Sequence, residues 1–501
     1  ENQMTEPSIE ALESRLMEEA EKFLQDSFDY FNIRGSSNNL IFDLKRNLYW
    51  GNEHCISKFE KYWAFNFKND KDLTGKSKAI STLKYIYGLP QYLAMRKEDK
   101  TLGFESRFES GNLQLAYKRG SFEYELFLSP DYGTLKNSQW FFFFVYNTRA
   151  NQKYRFSIVN LFKNDSIFNS VTRLLIYSTK RGKFFRAGED IFYYSNFYKK
   201  KNNTNYSTLS FDISFPEDFD TVYISMSYPY TLSKINGMIS HHMSQKRTRA
   251  LMTEQNLTDT ILGNKCKILS ITNPESNIPK NDKKVIFINS RVHPGETTAS
   301  YVMQEVIEEL LQDSLSMSLF RDHVIIYIVP VINPDGVALG NARCNMSMVD
   351  LNRNYNSPSK TNQPTLFAMK QFAKEIRDEH RDIIYFVDIH SHSKKMNCFI
   401  YGNPASEFNG RDKDFNLFLH AFISHCDIVR IQDCNFAYQK EKENCARIVF
   451  NREFGIKHSF TLENSFSGAS QGKFRGLHFN KYMFESIGQG LVYALKDCIQ
   501  K

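Results

Sequence analysis

After about residue 250 the chain alternates between strand-like and helix-like segments, and this pattern restricts the fold more than any other feature. The segments are, in order, KVIFINS, SYVMQEVIEELLQD, HVIIYIVPVI, PTLFAMKQFAKEIRDE and DIIYFVDI. The strand-like segments are almost entirely apolar, which is typical of parallel strands that are covered on both faces. We therefore predict an α/β domain over residues 227–501, with a mixed, largely parallel twisted sheet flanked by helices.

The preceding part of the chain has a different sequence pattern. Between residues 30 and 226, short aromatic and β-branched runs such as FEYELFLS, QWFFFFVYNT and TVYISMSY are separated by Gly, Pro, Asn and Asp. Several short strands at this spacing predict an antiparallel β-sandwich domain. Apolar residues recur at helical spacing over residues 7–25, so we predict a helical extension over residues 1–29.

Composition narrows the class of protein. Hydrophobic residues make up 41% of the 501 and charged residues 24%, which excludes a disordered or fibrous chain. There is no apolar run of about 18 residues, as a membrane helix requires, and the first twenty residues are acidic where a signal peptide is basic and then apolar. We therefore expect no membrane association and no secretion by that route.

The cysteines and the net charge bear on location and partners. Eight cysteines are scattered without a C-x-x-C pair, which favours reduced thiols and a cytoplasmic setting. The net charge of +8 could raise the local concentration of an acidic partner, but a solvated basic surface is the more ordinary explanation. We expect no nucleic-acid partner, and the oligomeric state stays open.

Two histidines and a glutamate follow strand-like segments. KVIFINS runs into Arg-Val-His293-Pro-Gly-Glu296, and DIIYFVDI ends just before His390. Sites in open α/β sheets lie at the carboxyl ends of strands, so these three side chains can converge. Two His and one Glu form the ligand set of a catalytic zinc that leaves a fourth position open. The alternative for His293 and Glu296 is an ordinary surface pair, since H-x-x-E is common by chance.

A third strand-like segment, KHSFTLENSF, places Glu463 among apolar residues. Burying a carboxylate is costly unless it has a partner, and a water activated by zinc would be one. A structural carboxylate, or one at a strand end in solvent, is the other interpretation.

Residues 330–355 add two arginines, Arg343 and Arg353, on segments rich in turn residues. Arginine suits the two-pronged binding of a carboxylate. Either arginine could instead be an ordinary loop residue, and Asp350 could be a cap or an Asx turn.

Six motifs in order resemble the zinc metallocarboxypeptidases: His293-Pro-Gly-Glu296, Asn333-Pro-Asp-Gly336, Gly340-Asn-Ala-Arg343, Asp350-Leu-Asn-Arg-Asn354, Asp388-Ile-His390 and Ser459-Phe-Thr-Leu-Glu463. The motifs HPGE, GNARC and DLNRNY together are similar to those of the cytosolic carboxypeptidase branch. The front half is similar to the β-sandwich domain of that branch, so the resemblance covers residues 30–495.

The resemblance implies a role for each matching residue. His293, Glu296 and His390 would bind one Zn²⁺ per chain, and Glu463 would act as general base and then acid. Arg343 would polarise the scissile carbonyl, while Asn352 and Arg353 would bind the terminal carboxylate of a peptide. Asp350 would accept a hydrogen bond from His293 and orient it. The expected reaction is attack of activated water on the last peptide bond.

The resemblance also implies a substrate, because members of this branch remove glutamates from acidic protein tails, tubulin above all. Arg447, sixteen positions before Glu463, falls where the family lines its specificity pocket. A cation there suits an acidic side chain, although a charge at a sheet edge is the alternative. Lys394, Lys395 and Lys473 would add a basic rim, although solvated lysines are the ordinary interpretation. His392 is interpreted as a neighbour of His390 rather than a ligand. The implied location is cytoplasmic, with microtubules or cilia as sites of action.

Three other functions fit parts of the sequence. Gly468-Ala-Ser470-Gln-Gly472 matches the nucleophile elbow of serine hydrolases, but another Gly follows at once and no acid lies between Ser470 and His478. A binding protein for acidic tails would keep the fold and lose a ligand or the base, and all four residues are present. A zinc amidase for small acyl amino acids is disfavoured by the sandwich domain and the predicted Asn352-Arg353 pair.

Overall fold

The computed structural model describes residues 40–43, 100–134, 136–170, 172–200, 202–379, 381–404 and 413–500. The described residues divide into two compact units, one within residues 1–229 together with 338–342, the other formed by 230–337 and 343–501. The helix predicted over residues 7–25, and with it the extension over 1–29, lies outside the described residues.

The first unit contains two sheets built from short strands rich in aromatic residues. Its strands are β1 (Leu40–Asp43), β2 (Gly103–Glu105), β3 (Leu113–Lys118), β4 (Glu123–Leu128), β5 (Phe142–Tyr146), β6 (Lys153–Leu161), β7 (Leu174–Ser178), β8 (Lys183–Ala187), β9 (Glu189–Lys199), β10 (Asn205–Ser214) and β11 (Val222–Ser225). Among the described residues the strand orders are β1-β3-β4-β6-β10-β9 and β2-β5-β11-β7-β8.

The inner faces of these two sheets pack through aromatic rings. Phe104 of β2 lies 5.3 Å from Tyr124 of β4 and 6.3 Å from Phe156 of β6, measured between ring centroids. The alternation of buried and exposed residues along β4 is typical of a strand with one face in a core. One pair departs from the antiparallel expectation, because β4 and β6 run parallel. They can do so because the chain between them passes through the other sheet as β5.

The second unit is an α/β domain. Its strands are β12 (Met252–Asp259), β13 (Lys265–Ile271), β14 (Lys284–Ser290), β15 (Val324–Val329), β16 (Ile383–His392), β17 (Cys398–Tyr401) and β18 (His458–Ser465). The helices of the described residues are α1 (Leu232–Ser244), α2 (Lys246–Leu251), α3 (Thr298–Leu310), α4 (Leu315–His323), α5 (Pro334–Leu339), α6 (Pro364–Asp378), α7 (Lys413–His425), α8 (Ala446–Phe454) and α9 (Lys481–Ile499).

The sheet of this unit has the order β12-β13-β15-β14-β16-β18-β17 among the described residues. Its central strands β15, β14, β16 and β18 are parallel, and antiparallel strands complete it on both sides. Alternate residues of β14, such as Val285 and Phe287, join a core with α6 and α8. Ile286 and Ile288 point to the other face, where α3 packs. Helices therefore flank a mixed sheet with a parallel centre, as the alternating sequence pattern predicts.

Among the described residues, every helix is too short or too polar to cross a lipid bilayer.

Candidate metal centre and active site

The three central strands β14, β16 and β18 bring the candidate residues to one edge of the sheet. His293 and Glu296 follow the end of β14, His390 lies near the end of β16, and Glu463 lies near the end of β18. The register pairs Ser290 with Ile389 and His390 with Glu463. Because neighbouring parallel strands end at the same edge, residues more than 160 positions apart in the chain become neighbours.

The loop that carries His293 and Glu296 is shaped by a buried arginine. Arg291 is 2% exposed and has a φ of 54°. Its guanidinium donates to the carbonyl of Pro294 from Nε at 3.1 Å and from Nη2 at 2.6 Å, and to the carbonyl of Tyr230 at 2.9 Å. Pro294 packs against Gly336, where an added Cβ would lie 2.4 Å from Pro294 Cγ. The HPGE and NPDG motifs therefore depend on each other sterically.

His293, Glu296 and His390 form a compact set of possible metal ligands, the one such group among the described residues. Their ligand atoms all lie within 4.8 Å of one another. Glu296 bridges the histidines, with Oε1 2.8 Å from Nδ1 of His293 and Oε2 2.9 Å from Nδ1 of His390. Burial opposes ionisation of Glu296, but the two imidazoles hold its pKa well below the usual range. The three side chains can therefore meet at a single cation.

Each histidine is oriented by a second carboxylate. Nε2 of His293 lies 3.1 Å from Oδ1 of Asp350, and Nε2 of His390 lies 2.7 Å from Oδ2 of Asp388. Asp388 is itself held by Asn289, whose amide donates to Oδ1 at 2.7 Å. A carboxylate on one ring nitrogen fixes the tautomer and leaves the other nitrogen as a better ligand.

This donor set fits zinc. Two imidazoles and one carboxylate, with each histidine backed by a hydrogen-bond acceptor, are the ligands of catalytic zinc sites that leave a position open for water or substrate. A hard cation such as Mg²⁺ would prefer oxygen ligands alone. The chemistry of the donors therefore agrees with the Zn²⁺ expected from the motifs.

Glu463 lies beside the set of possible metal ligands formed by His293, Glu296 and His390, which we call the metal set. Its neighbour in the sheet is His390, and its buried Oε2 has no hydrogen-bond partner among the described residues. Burial is the main reason why the pKa of Glu463 rises to about 8; the carboxylates of Glu296 and Asp388 add to the rise, while His390 opposes it. A carboxyl with such a pKa can exchange a proton near neutral pH.

Arg343 contacts the metal set through Asp350. Its Nε and Nη2 each lie 2.6 Å from Oδ2 of Asp350, whose other oxygen lies near His293. Burial opposes ionisation of Asp350, but His293 and Arg343 keep its pKa far below the usual range. The structure therefore places Arg343 beside the metal set, joined to it by one carboxylate.

Asn352 and Arg353 lie on a short 3-10 helix, Leu351–Arg353, that Asp350 caps. The amide of Asn352 is used within the protein, since Oδ1 accepts from the backbone of Ala446 at 3.0 Å and Nδ2 lies 3.2 Å from Nε2 of His390. Nη1 of Arg353 donates to the carbonyl of Asn352 at 2.8 Å. Of the two, Arg353 has the donors to spare for a ligand.

Arg447 is 6% exposed in the first turn of α8. Its Nε donates to the carbonyl of Gly402 at 3.1 Å, its Nη1 lies 3.3 Å from Sγ of Cys445, and its guanidinium lies 5.9 Å from the ring centre of Tyr401. Among the described residues it has no carboxylate partner. A buried guanidinium without a counter-charge is costly, so this position is suited to receive an anion.

The three lysines of the predicted basic rim contact different neighbours. Nζ of Lys395 lies 3.2 Å from the carbonyl of Asp433 and 4.8 Å from the ring centre of Phe399. Lys473 lies over the ring of Phe474, and the backbone N–H of Lys394 donates to His392. His392 thus turns towards the loop that follows it.

Ser470 lacks the surroundings of a nucleophile. Its Oγ accepts from Nδ2 of Asn397 at 2.7 Å, and its backbone N–H donates to Oδ1 of the same residue at 2.8 Å. The segment that follows it is a short 3-10 helix, Gly472–Phe474, instead of the long helix of a nucleophile elbow. This geometry disfavours a serine hydrolase.

The motifs leave two residues of the site without a role. Asp388 lies two positions before His390, and residues at this spacing share a face of a strand, so a signal was present in the sequence. Lys442 lies near Arg343, Arg353 and Arg447 and exerts its charge on Glu463. It ends the short 3-10 helix Lys440–Lys442, and no signal in the sequence pointed to it.

Comparisons with known proteins agree with this geometry. A model described as zinc carboxypeptidase matches residues 241–484. The chain is 37% identical over 411 residues to cytosolic carboxypeptidase 3 of Bos taurus and 36% identical over 453 residues to cytosolic carboxypeptidase 2 of Danio rerio. These matches cover 80% and 89% of this chain, and 40% and 61% of the relatives. The chain thus spans only part of the length of the curated relatives that it matches.

Solved structures show the same fold. A metallocarboxypeptidase from Burkholderia cenocepacia has a TM-score of 0.65 at 20% identity and covers 80% of this chain and 99% of its own. A metallocarboxypeptidase from Pseudomonas aeruginosa has a TM-score of 0.63 at 20% identity, with coverages of 79% and 99%. The predicted architecture, a sandwich followed by an α/β domain, is confirmed.

Proposed function

We propose that this chain, whose residues 241–484 match a zinc carboxypeptidase model, is a zinc-dependent exopeptidase that removes glutamate from the C-terminal tails of proteins. The observation that carries the proposal is the buried Oε2 of Glu463, which has no hydrogen-bond partner among the described residues and adjoins the set of His293, Glu296 and His390. A general base next to a set of zinc ligands is the minimal machinery for hydrolysis of a peptide bond.

The chemistry that zinc supplies when bound is Lewis-acid activation of water. Glu463 would take a proton from the attacking water and pass it to the leaving amine, a task that the position of its buried Oε2 next to His390 suits. Arg343 would stabilise the negative charge that develops on the carbonyl oxygen. Its bonds to Asp350 hold it in place for that role.

Restriction to the last residue requires a cation for the terminal carboxylate. We assign this role to Arg353, which has donors to spare for a planar, two-pronged contact. Asn352, for which the resemblance implies the same role, would have to share or give up its contacts with Ala446 and His390.

The preference for glutamate rests on Arg447. Its buried guanidinium lacks a carboxylate partner among the described residues, and an acidic side chain of the substrate would supply one. We propose acidic protein tails as substrates, with tubulin as the candidate that the resemblance suggests. The names of the relatives favour action in the cytosol, and we extend this to microtubules or cilia as the place of an enzyme with such a substrate.

The test is mass spectrometry of matched peptides ending in Glu, Asp, Leu or Lys after incubation with the chain. We expect stepwise loss of terminal Glu, which a zinc chelator abolishes. Glu463→Gln, which keeps the size of the side chain, should slow cleavage by about 10²- to 10⁴-fold because the proton acceptor is lost.

Two results would contradict the proposal. Retained cleavage by Glu463→Gln would remove the assigned base, and equal cleavage of Leu-ended peptides would remove the Arg447 pocket. Binding of Glu-ended peptides without any cleavage would instead identify a binding protein for acidic tails.

A further inference from the structure

The first unit includes a short segment from late in the chain. Residues 338–342 belong to this unit, although the sequence on either side of them belongs to the second. The segment ends at Ala342, and the next residue is Arg343, which contacts the metal set through Asp350. Contacts that fix the backbone of residues 338–342 therefore also fix the point from which the side chain of Arg343 extends.

A buried turn of the first unit holds the start of this segment. The N–H of Ser110 donates to the carbonyl of Ala338 at 3.0 Å. Ser110 is buried, and its own carbonyl accepts from the indole N–H of Trp140 at 2.9 Å. Trp140 is buried in turn and packs against the ring of Phe142 in β5. The contact with Ala338 is thus made by a residue that core packing keeps in place.

Gly340 permits a close approach between the segment and this turn. Its φ is 74°, and an added Cβ would lie 2.8 Å from the carbonyl oxygens of both Ser110 and Gly111. A side chain at this position would strain the backbone and push the segment away from the turn. Packing within the first unit therefore accounts for the glycine of the Gly340-Asn-Ala-Arg343 motif.

Asp131 holds the end of the segment. Its side chain is buried, and Oδ1 accepts from the N–H of Ala342 at 2.6 Å. The carbonyl of Asp131 accepts from the N–H of Thr134 at 2.9 Å and from its hydroxyl at 2.8 Å, so the backbone that carries the carboxylate is fixed as well. Carboxylates form stronger hydrogen bonds to backbone N–H groups than neutral acceptors do. This contact therefore fixes the backbone one residue before Arg343.

Asn341 adds a second hydrogen bond in the opposite direction. Its side chain is buried, and Oδ1 accepts from the N–H of Tyr132 at 3.1 Å. Two successive residues of the turn that contains Asp131 thus bond to two successive residues of the segment. Two bonds of opposite direction restrict rotation of the segment as well as its displacement.

Arg343 is consequently fixed at both ends. Its backbone follows the segment that Asp131 holds, and its Nε and Nη2 each lie 2.6 Å from Oδ2 of Asp350. A group that stabilises a developing negative charge is effective when its position is set before the reaction. A misplacement of about 1 Å can cost roughly 100-fold in rate.

We propose that Asp131 is a positioning residue, which holds the backbone before Arg343 so that the guanidinium is aimed at the carbonyl of the scissile bond. This inference rests on the proposed function, in which Arg343 stabilises the charge on that carbonyl. It gives the β-sandwich a part in the reaction.

The experiment compares the unchanged chain with Asp131→Ala, Asp131→Asn and a control on a Glu-ended peptide. We expect Asp131→Ala to lower kcat by about 10- to 100-fold with little change in KM, because Arg343 acts on a charge that develops only in the transition state. Asp131→Asn keeps an oxygen acceptor and should retain most of kcat. The control is Asp218→Ala, which removes the acceptor of the Ala150 N–H in the same unit and should leave kcat unchanged.

A second comparison separates positioning from a general loss of structure. In the Arg343→Ala background, Asp131→Ala should cost no further kcat, because the residue that it positions is gone. An equal loss of kcat in both backgrounds, or a loss that appears only in KM, would overturn the inference. If Asp131→Ala does not fold, Asn341→Ala replaces it, since it removes the bond from Tyr132 to the same segment, and the same outcomes apply.

Hydrogen exchange separates this inference from the proposed function. Exchange is measured by mass spectrometry on fragments that contain Ala342, in the unchanged chain, in Asp131→Ala and in Asp218→Ala. If the unchanged chain cleaves no peptide, the proposed function fails, yet faster exchange at Ala342 in Asp131→Ala alone would still support Asp131 as the residue that positions Arg343. Exchange that Asp131→Ala leaves unchanged would overturn it.

Discussion

His293 and His390 each have a carboxylate on the ring nitrogen that points away from Glu296. For His390 this carboxylate is Asp388, two residues earlier on the same face of β16. For His293 it is Asp350, which is 57 positions away along the chain. The first partner follows from the period of a strand, while the second was expected only from the resemblance. Spacing along the strand therefore accounts for the carboxylate that supports His390, but not for the one that supports His293.

At this scale we predict that Asp388→Asn weakens zinc binding by about 10- to 100-fold, because the imidazole of His390 loses the anionic acceptor that orients it. Competition with a chromophoric chelator would measure the affinity. The matched control is Asp382→Asn, which changes an exposed acid just before the other end of the same strand and should not alter the affinity. Equal affinities for both variants would show that Asp388 does not support the ligand.

At the scale of elements, α3 and α9 approach each other closely. A Cβ added at Gly488 of α9 would lie 2.6 Å from Cβ of Glu305 and 2.9 Å from the carbonyl oxygen of Val302, both in α3. Glycine within a helix normally weakens it. Here it permits the contact between the two helices, so the loss of helix propensity is offset by packing.

Gly488→Ala should therefore destabilise the protein by about 1–3 kcal/mol, because overpacking outweighs the gain in helix propensity. The control is Gly237→Ala in α1, where an added Cβ meets nothing within 4 Å. That variant should gain about 0.5–1 kcal/mol. Denaturant unfolding of both variants measures the free energies, and stabilisation by Gly488→Ala would contradict the packing argument.

Many of the strands and helices were predicted from the spacing of hydrophobic residues along the chain. KVIFINS became β14 with the same bounds, and HVIIYIVPVI contains β15, Val324–Val329. The first helix-like segment overlaps α3, which begins two residues earlier at Thr298, and the second contains α6. The strand β12 had no such signal, because it lies at the edge of the sheet and half of its residues are exposed. An edge strand follows the apolar period poorly, so β12 was missed.

At the scale of the whole molecule, the metal ligands come from the chain after β14 and from β16. An ion bound by all three side chains joins two segments that are about a hundred residues apart, as the separation of Glu296 from His390 shows. A ligand that binds the folded state alone stabilises it by mass action.

Zinc at about 100-fold above its dissociation constant should therefore stabilise the chelator-treated protein by about 2.7 kcal/mol. Thermal melts would show this as a rise in Tm of roughly 5–10 °C. His390→Ala should lose the shift, while His392→Ala, two positions along the same strand, should keep it. A shift that survives in His390→Ala would place the ion elsewhere.

The sequence by itself determined local features. These are the hydrophobic period of each strand and helix, the change of sequence pattern between the first and second halves of the chain, and the ordered motifs that contain His293, Glu296, His390 and Glu463. Such features depend on neighbours along the chain, and hydrophobic burial imposes them whatever the partners are.

What the tertiary structure alone decided was which distant residues share a space. Sheet order placed His390 beside Glu463 and turned the amide of Asn352 towards Ala446. Neither contact follows from a period along the chain, because each joins segments whose distance depends on how the strands are ordered. Burial without a carboxylate partner among the described residues, as at Arg447, is likewise a property of the packed chain and of no segment within it.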